Sequence, residues 1–120
     1  MAIKNSKIWG TTTEILKNPF IEIHRAEILK GGVCSDHFHS FKINAFYVES
    51  GKLLIRQFLE NGMTDETTLE SGDLIEIMPN IRHQFEGLDN SMVWEYYYPV
   101  GIGNTDITRF SQGYMKDEES

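Results

Sequence analysis

Apolar and polar residues alternate along short segments of this chain, and turn residues separate the segments. Residues 20–29 are a clear case, because Ile21 and Ile23 share one face of an extended strand while Glu22 and His24 share the other. No stretch of ten or more residues keeps the 3.6-residue apolar period of a helix, and no internal repeat is visible. The pattern therefore predicts an all-β protein.

Seven strands are predicted from alternation and from β-branched residues. They lie at residues 7–16, 20–29, 43–49, 52–59, 74–78, 83–85 and 91–98, and residues 67–69 lead into Ser71-Gly72. Asn61-Gly62 is the strongest hairpin signal, because a two-residue primed turn needs a positive φ at both positions. Short antiparallel strands at such even spacing form a sandwich or a jelly-roll barrel.

Three of the four histidines lie in two segments, each of which begins and ends with a glycine. His37 and His39 belong to residues 31–51 and have one residue between them, so that an extended strand presents both imidazoles on one face. His83 belongs to residues 72–87, which have a similar layout. The pattern indicates one site built from two hairpins.

These two segments resemble the two sequence motifs of the cupin family. The matching positions are Gly31, His37, His39, Asn44 and Gly51 in the first motif and Gly72, Met78, Asn80 and His83 in the second. Asn44 stands where the family has a glutamate, Met78 where it has a proline, and Asn80 where it has a glycine. The resemblance implies an all-β fold, an antiparallel jelly-roll barrel of the cupin type.

Further stretches resemble the C-terminal cupin domain of bifunctional mannose-6-phosphate isomerase/mannose-1-phosphate guanylyltransferases and related sugar-phosphate cupins. They are residues 7–10 (KIWG), 94–95 (WE) and 106–109 (DITR), followed by Tyr114. This resemblance implies a sugar or sugar phosphate as the substrate. It also implies a chain end that folds back across the barrel mouth, where Arg109 would hold the phosphate. Met115 and Lys116 stand where that family has Gly-Arg.

Length and composition predict one soluble domain. The chain has 120 residues, 40% of them hydrophobic, so we expect a single domain at residues 1–115 and a disordered tail at 116–120. The formal net charge of −7 argues against nucleic acid as a partner, because phosphate-binding surfaces are usually basic. No apolar run approaches the roughly 18 residues of a membrane span, no signal peptide is recognisable, and the lone Cys34 fits a reducing compartment. We therefore expect a cytoplasmic protein without a membrane partner.

The histidine pattern predicts a metal site. Neutral imidazoles of His37, His39 and His83 can hold one divalent transition metal, such as Zn, Fe(II), Ni or Mn. Asn44 can add its amide oxygen, which is a weaker donor than a carboxylate. The alternative is a barrel whose histidines only bond to one another and to water.

Two residues are candidates for proton transfer. Glu95 lies in a strongly apolar strand, where a carboxylate faces either outward into solvent or inward into a functional site; inward, it would act as a general base beside Tyr97. Lys42 shares the strand parity of Asn44, so it would stand at the barrel mouth and meet an anionic substrate. The alternative for Lys42 is a solvated lysine near a turn.

Together these features predict a metal-dependent isomerase or epimerase of a sugar or sugar phosphate. Tyr97, Arg109 and Phe46 are the expected substrate contacts, with core packing as the first role of Phe46. A three-histidine Fe(II) dioxygenase and a non-catalytic barrel that binds a small ligand are open alternatives. Exposed barrel edges favour a homodimer. His24, alone in an early strand, is interpreted as a packing or surface residue.

Overall fold

The computed structural model describes residues 3–101, 110, 112, 113, 115 and 116. Within these residues the regular structure is entirely β, as the alternation predicts. The nine strands of the described part are β1 Ile3–Lys7, β2 Gly10–Lys17, β3 Glu22–Ile28, β4 Lys42–Ser50, β5 Lys52–Phe58, β6 Thr64–Glu70, β7 Leu74–Ile77, β8 Arg82–Gly87 and β9 Ser91–Pro99.

The strands form two antiparallel sheets. One has six strands in the order β1-β2-β3-β9-β4-β7, and the other has three in the order β6-β5-β8. Residues 31–39 run antiparallel to β8, with isolated bridges between Val33 and Glu86 and between His37 and His83. The predicted antiparallel all-β fold is therefore confirmed, and the His-rich segment is bonded to the strand that carries the third histidine.

The core lies between the sheets and is apolar toward one end only. Its fully buried members include Ala26, Ile28, Phe46, Val48, Leu53, Ile55, Ile77 and Val93. On β3 the inward face changes along the strand, from Glu22 and His24 to Ala26 and Ile28. The barrel therefore has a polar end, where a site can form, and a closed apolar end.

The first predicted strand, at residues 7–16, corresponds to β2 from Gly10 onward and overlaps β1 only at Lys7. The turn at Ile8 and Trp9 separates β1 from β2, and the Trp9 ring packs edge-on against Phe85 at a centroid distance of 4.9 Å. Gly10 follows at φ 150°, where an added Cβ would lie 1.9 Å from the Glu27 carbonyl oxygen. The partly buried Trp9 packs against the core at this turn, and the next strand begins only at Gly10.

The hairpin between β5 and β6 forms where Asn61-Gly62 predicted it, but with a different turn. Within this loop only Gly62 has a positive φ, of 82°, so the prediction of a two-residue primed turn is wrong. The Gly62 N–H donates to the Leu59 carbonyl at 3.0 Å, and the Leu59 N–H donates to the Met63 carbonyl at 2.9 Å. This is a three-residue loop that ends in a left-handed glycine, the next most common hairpin geometry.

Parts of the chain end lie outside the described residues. These parts include Arg109 and the rest of residues 106–109, Tyr114, and all of the predicted tail except Lys116. In the described part of the chain, no helix is long and apolar enough to cross a membrane.

Candidate functional site

The structure brings the three motif histidines together. His37, His39 and His83 each offer a ring nitrogen, and these nitrogens all lie within 4.8 Å of one another. His37 and His83 exchange two backbone hydrogen bonds, of 3.2 and 2.9 Å, across their bridge. His39 follows on the same face, and its carbonyl accepts a 2.7 Å hydrogen bond from the N–H of Asn80. The cluster is thus fixed by backbone bonds on both of its segments.

Hydrogen bonds assign the free nitrogen of two of these rings. Nδ1 of His37 donates to the Ser35 carbonyl at 2.7 Å, and Nδ1 of His83 donates to the Ile81 carbonyl at 2.9 Å. A neutral ring that donates from Nδ1 carries its lone pair on Nε2, and such a backbone partner is typical of metal-binding histidine. Nε2 of His39 is buried and has no partner among the described residues. All three rings therefore have a nitrogen available to a ligand.

Asn44 lies within reach of the same cluster. It is only 1% exposed, and its Oδ1 is 3.1 Å from Nε2 of His83. Two lone pairs thus face each other, an arrangement that a shared cation stabilises. Two donors at right angles on one ion, each about 2.1 Å from it, would lie about 3 Å apart. The residues present therefore fit a divalent metal with three imidazoles and one amide oxygen.

The electrostatics of the cluster favour neutral rings. Burial, followed by repulsion from His37, lowers the pKa of His39. Burial also lowers the pKa of His83, although the hydrogen bond to the Ile81 carbonyl partly opposes it. Since only the neutral imidazole binds a metal, both rings are ready for a ligand below the usual pKa of histidine near 6.5.

A cavity of about 680 Å³ lies beside the cluster. Its lining includes His37, Trp9, Cys34 and Phe85, together with Glu22, His24, Glu95 and Tyr97 from β3 and β9. Cys34 is buried, and desolvation raises the pKa of its thiol to about 11, so it is an inert part of the wall. The cavity therefore combines one edge of the histidine cluster with a group of titratable side chains.

Glu95 faces inward, which was one of its two predicted orientations. It is 9% exposed, and the hydroxyl of Tyr97 donates to its Oε2 at 2.5 Å. Burial raises the pKa of Glu95, although the hydrogen bond from Tyr97 works in the opposite direction. Burial and the neighbouring Glu95 charge also raise the pKa of Tyr97. The centroids of the Tyr97 and His39 rings are 5.2 Å apart, so the Glu95–Tyr97 pair adjoins the histidine cluster.

The other candidate residues are placed less centrally. Lys42 is exposed at the start of β4, and its charge contributes to the lowered pKa of both Glu22 and His39. Phe46 is 1% exposed and packs between His83 and Phe85, at centroid distances of 6.2 and 6.0 Å. It is not among the residues that line the cavity, and its observed role is packing against His83.

His24 is the residue that sequence reasoning missed. It lines the cavity, and its Nε2 donates a 2.6 Å hydrogen bond to Oε2 of Glu22. Strand parity contained the signal, because His24 shares its face with Ala26 and Ile28, which are the apolar residues that mark the inward side of β3.

Similar folds occur among solved structures. No family model matches the sequence, and the comparison with curated proteins gives no match. KdgF from Halomonas sp. superposes with a TM-score of 0.69 and 18% identity over 79% of this chain and 84% of that one. Capsular polysaccharide assembling protein CapF from Staphylococcus aureus superposes with a TM-score of 0.72 and 25% identity over 81% of this chain and 28% of that one. Oxalate decarboxylase from Bacillus subtilis, a protein with Mn(II) centres, superposes with a TM-score of 0.73 and 13% identity over 85% of this chain and 28% of that one.

These neighbours differ in length but share one architecture. The chain spans less than a third of the CapF and oxalate decarboxylase chains and most of the KdgF chain. All three are cupins. With its two antiparallel sheets and its three clustered histidines, this chain has the jelly-roll fold of the cupins.

Proposed function

We propose that this protein is a metal-dependent isomerase or epimerase of a sugar or sugar phosphate. The observation that carries the proposal is one cavity that contains both His37 of the histidine cluster and the buried carboxyl group of Glu95. A proton-transfer group beside an electrophile is the requirement for moving a hydrogen between carbons next to a carbonyl. The sugar phosphate itself is suggested by the resemblance to mannose-6-phosphate isomerase domains.

The metal would be held by His37, His39 and His83, with Asn44 as a weak fourth donor. A divalent ion bound there would act as a Lewis acid toward a carbonyl oxygen. Imidazole donors favour Zn, Fe(II) or Ni, and Mn is also compatible with a mixed nitrogen and oxygen site.

Glu95 is the proposed acid and base. Its carboxylate takes the proton from the carbon next to the carbonyl, which leaves an enediolate. Glu95 then returns a proton to the neighbouring carbon, while the hydroxyl proton moves to the former carbonyl oxygen so that the carbonyl changes position. Burial raises the pKa of Glu95, which suits a group that must both accept and return a proton near neutral pH. The Tyr97 hydroxyl holds that carboxyl group in one orientation. Lys42, exposed beside the mouth, and Arg109 are the proposed contacts for a phosphate.

The proposal is tested by proton exchange. Protein loaded separately with Zn, Mn, Ni or Fe(II) is incubated with mannose, fructose and their 6-phosphates in deuterated water, and the sugars are followed by NMR. We expect exchange next to the carbonyl in at least one sugar. Glu95→Gln should slow it by about a hundredfold or more, because the general base is lost.

Glu27→Gln serves as the matched control. Glu27 is an exposed residue of β3, so its substitution should leave the exchange rate unchanged. Sugar binding without exchange would instead assign the protein to the small-ligand-binding cupins. Oxygen uptake by the iron-loaded protein would indicate a three-histidine dioxygenase.

A further inference from the structure

Four polar side chains form a compact group on two neighbouring strands of the cavity wall. Glu22 and His24 of β3 are paired in register with Tyr97 and Glu95 of β9, respectively. All four line the cavity. Side chains of directly opposite residues start from Cβ atoms about 5 Å apart, so His24 and Glu95 are immediate neighbours.

The two nitrogens of His24 have different surroundings. Nε2 donates to Glu22 at 2.6 Å, whereas Nδ1 is shielded from solvent and has no hydrogen-bond partner in the described part of the chain. An unpaired buried polar atom is destabilising, so a purely structural histidine would not be expected to keep one. One nitrogen is therefore committed to a carboxylate, and the other is free on the interior side.

Exposure increases along this group toward solvent. The side chain of Glu22 is 22% exposed and that of His24 is 15% exposed, while Glu95 is buried. The hydrogen bond to His24 is the main influence that lowers the pKa of Glu22, against the opposing effect of burial. Glu22 is therefore the more exposed of the two carboxyl groups and the one better placed to pass a proton to bulk water.

We propose that His24 and Glu22 relay protons between the buried Glu95 and solvent. The inference rests on the proposed function, because Glu95 must first take a proton from the substrate carbon. That proton moves from the Glu95 carboxyl group to Nδ1 of His24, while the Nε2 proton of His24 passes to the Glu22 carboxylate. Glu22 then releases it to water, and the reverse order restores the group. Each step breaks one bond to hydrogen and forms another, and no electron is gained or lost.

His24 and Glu22 are thus positioning residues that act through Glu95, and the relay has its own isotopic signature. With a working relay, the proton on Glu95 exchanges with solvent before it returns to carbon. Without it, the substrate's own hydrogen is returned. The ratio of solvent-derived to retained hydrogen in the product therefore reports on the relay, whereas damage to the fold would change only the rate.

The experiment uses the metal-loaded protein and the panel sugar that it isomerises, in deuterated water. In His24→Gln and Glu22→Gln, the solvent-derived fraction of product hydrogen should fall severalfold while isomerisation continues. Glu27→Gln should match the wild type in both quantities. Circular dichroism and metal content verify the fold of each variant, and Glu22→Gln decides the matter if His24→Gln does not fold.

The outcomes separate this inference from the proposed function. An unchanged solvent-derived fraction in folded, active variants would overturn the relay and leave the isomerase intact. Absence of exchange in the wild-type protein with every sugar would overturn both.

Discussion

At the scale of single residues, Asn44 is the proposed weak ligand that limits how strongly the site holds a metal. It presents a neutral amide oxygen 3.1 Å from Nε2 of His83, where the cupin motif has a glutamate. A neutral donor adds no charge to offset that of a divalent cation, so the three-histidine site should bind its metal reversibly.

Asn44→Glu should therefore tighten metal binding and destabilise the metal-free protein. The carboxylate adds charge as well as a donor atom, but without a metal it is a buried anion, which is costly. Metal retention against a chelator and thermal unfolding with and without metal measure the two effects. His83→Ala is the comparison that should lose the metal. Retention equal to that of wild type would mean that residue 44 does not reach the ion.

At the scale of elements, the turn between β7 and β8 holds His39 in place. Asn80 has a φ of 67°, the only positive value among the described residues other than glycine. Its N–H donates to the His39 carbonyl. Asn tolerates this left-handed conformation better than other residues with a Cβ, which explains how it can replace the motif glycine.

Asn80→Ala should lower the free energy of unfolding by about 1 kcal/mol, because alanine is strained in the left-handed region. Metal affinity should fall with it, since the turn that anchors His39 shifts. Asn80→Gly should retain both properties. Chemical denaturation and metal titration measure them, with Asn5→Ala on the exposed strand β1 as a control that changes little. Equal stability of the alanine and glycine variants would contradict the strain argument.

At the scale of the whole molecule, the polar end of the barrel affects stability through the buried Glu95. Glu95 is buried in the folded state with a raised pKa, so the folded protein binds its proton more tightly than the unfolded chain. The stabilising contribution of this group is complete below the unfolded pKa near 4.5 and is lost as pH rises through the folded value. When it is ionised, the buried carboxylate lowers the free energy of unfolding.

Glu95→Gln should therefore raise the thermal midpoint of the metal-free protein at pH 8, although the same variant should lose the proton exchange that depends on Glu95. Below pH 4.5 the two proteins should converge, since the wild-type carboxyl group is then protonated. The lowered pKa values of His39 and His83 destabilise both proteins as pH falls below 6.5 and so cancel in the comparison. A difference that is constant with pH would show that ionisation of Glu95 is not the cause.

Assembly is also decided at this scale. Strand β1 is an edge strand of the six-stranded sheet and is exposed along its length, which is the kind of edge that a second copy can pair with. The homodimer stays a prediction, and measurements of mass in solution would test it.

The sequence by itself determined the class of fold and half of the site. Alternation predicted the strands because side chains of an extended chain point to opposite faces in turn, and the same rule placed His37 and His39 side by side. Motif spacing added His83. Local chemistry also predicted the β5–β6 hairpin, although it did not determine which turn would form.

Tertiary structure alone decided which face of each strand is inside and which strands are neighbours. Backbone hydrogen bonds join any two strands alike, so the sequence of β3 does not name β9, 70 residues away, as its partner. Only that pairing places His24 beside Glu95, and only the packing of the two sheets brings Asn44 to His83. The packing of Trp9 at the turn between β1 and β2 likewise depends on Phe85 far along the chain. Contacts between distant segments form because they bury apolar surface together, and a pattern within one segment cannot specify them.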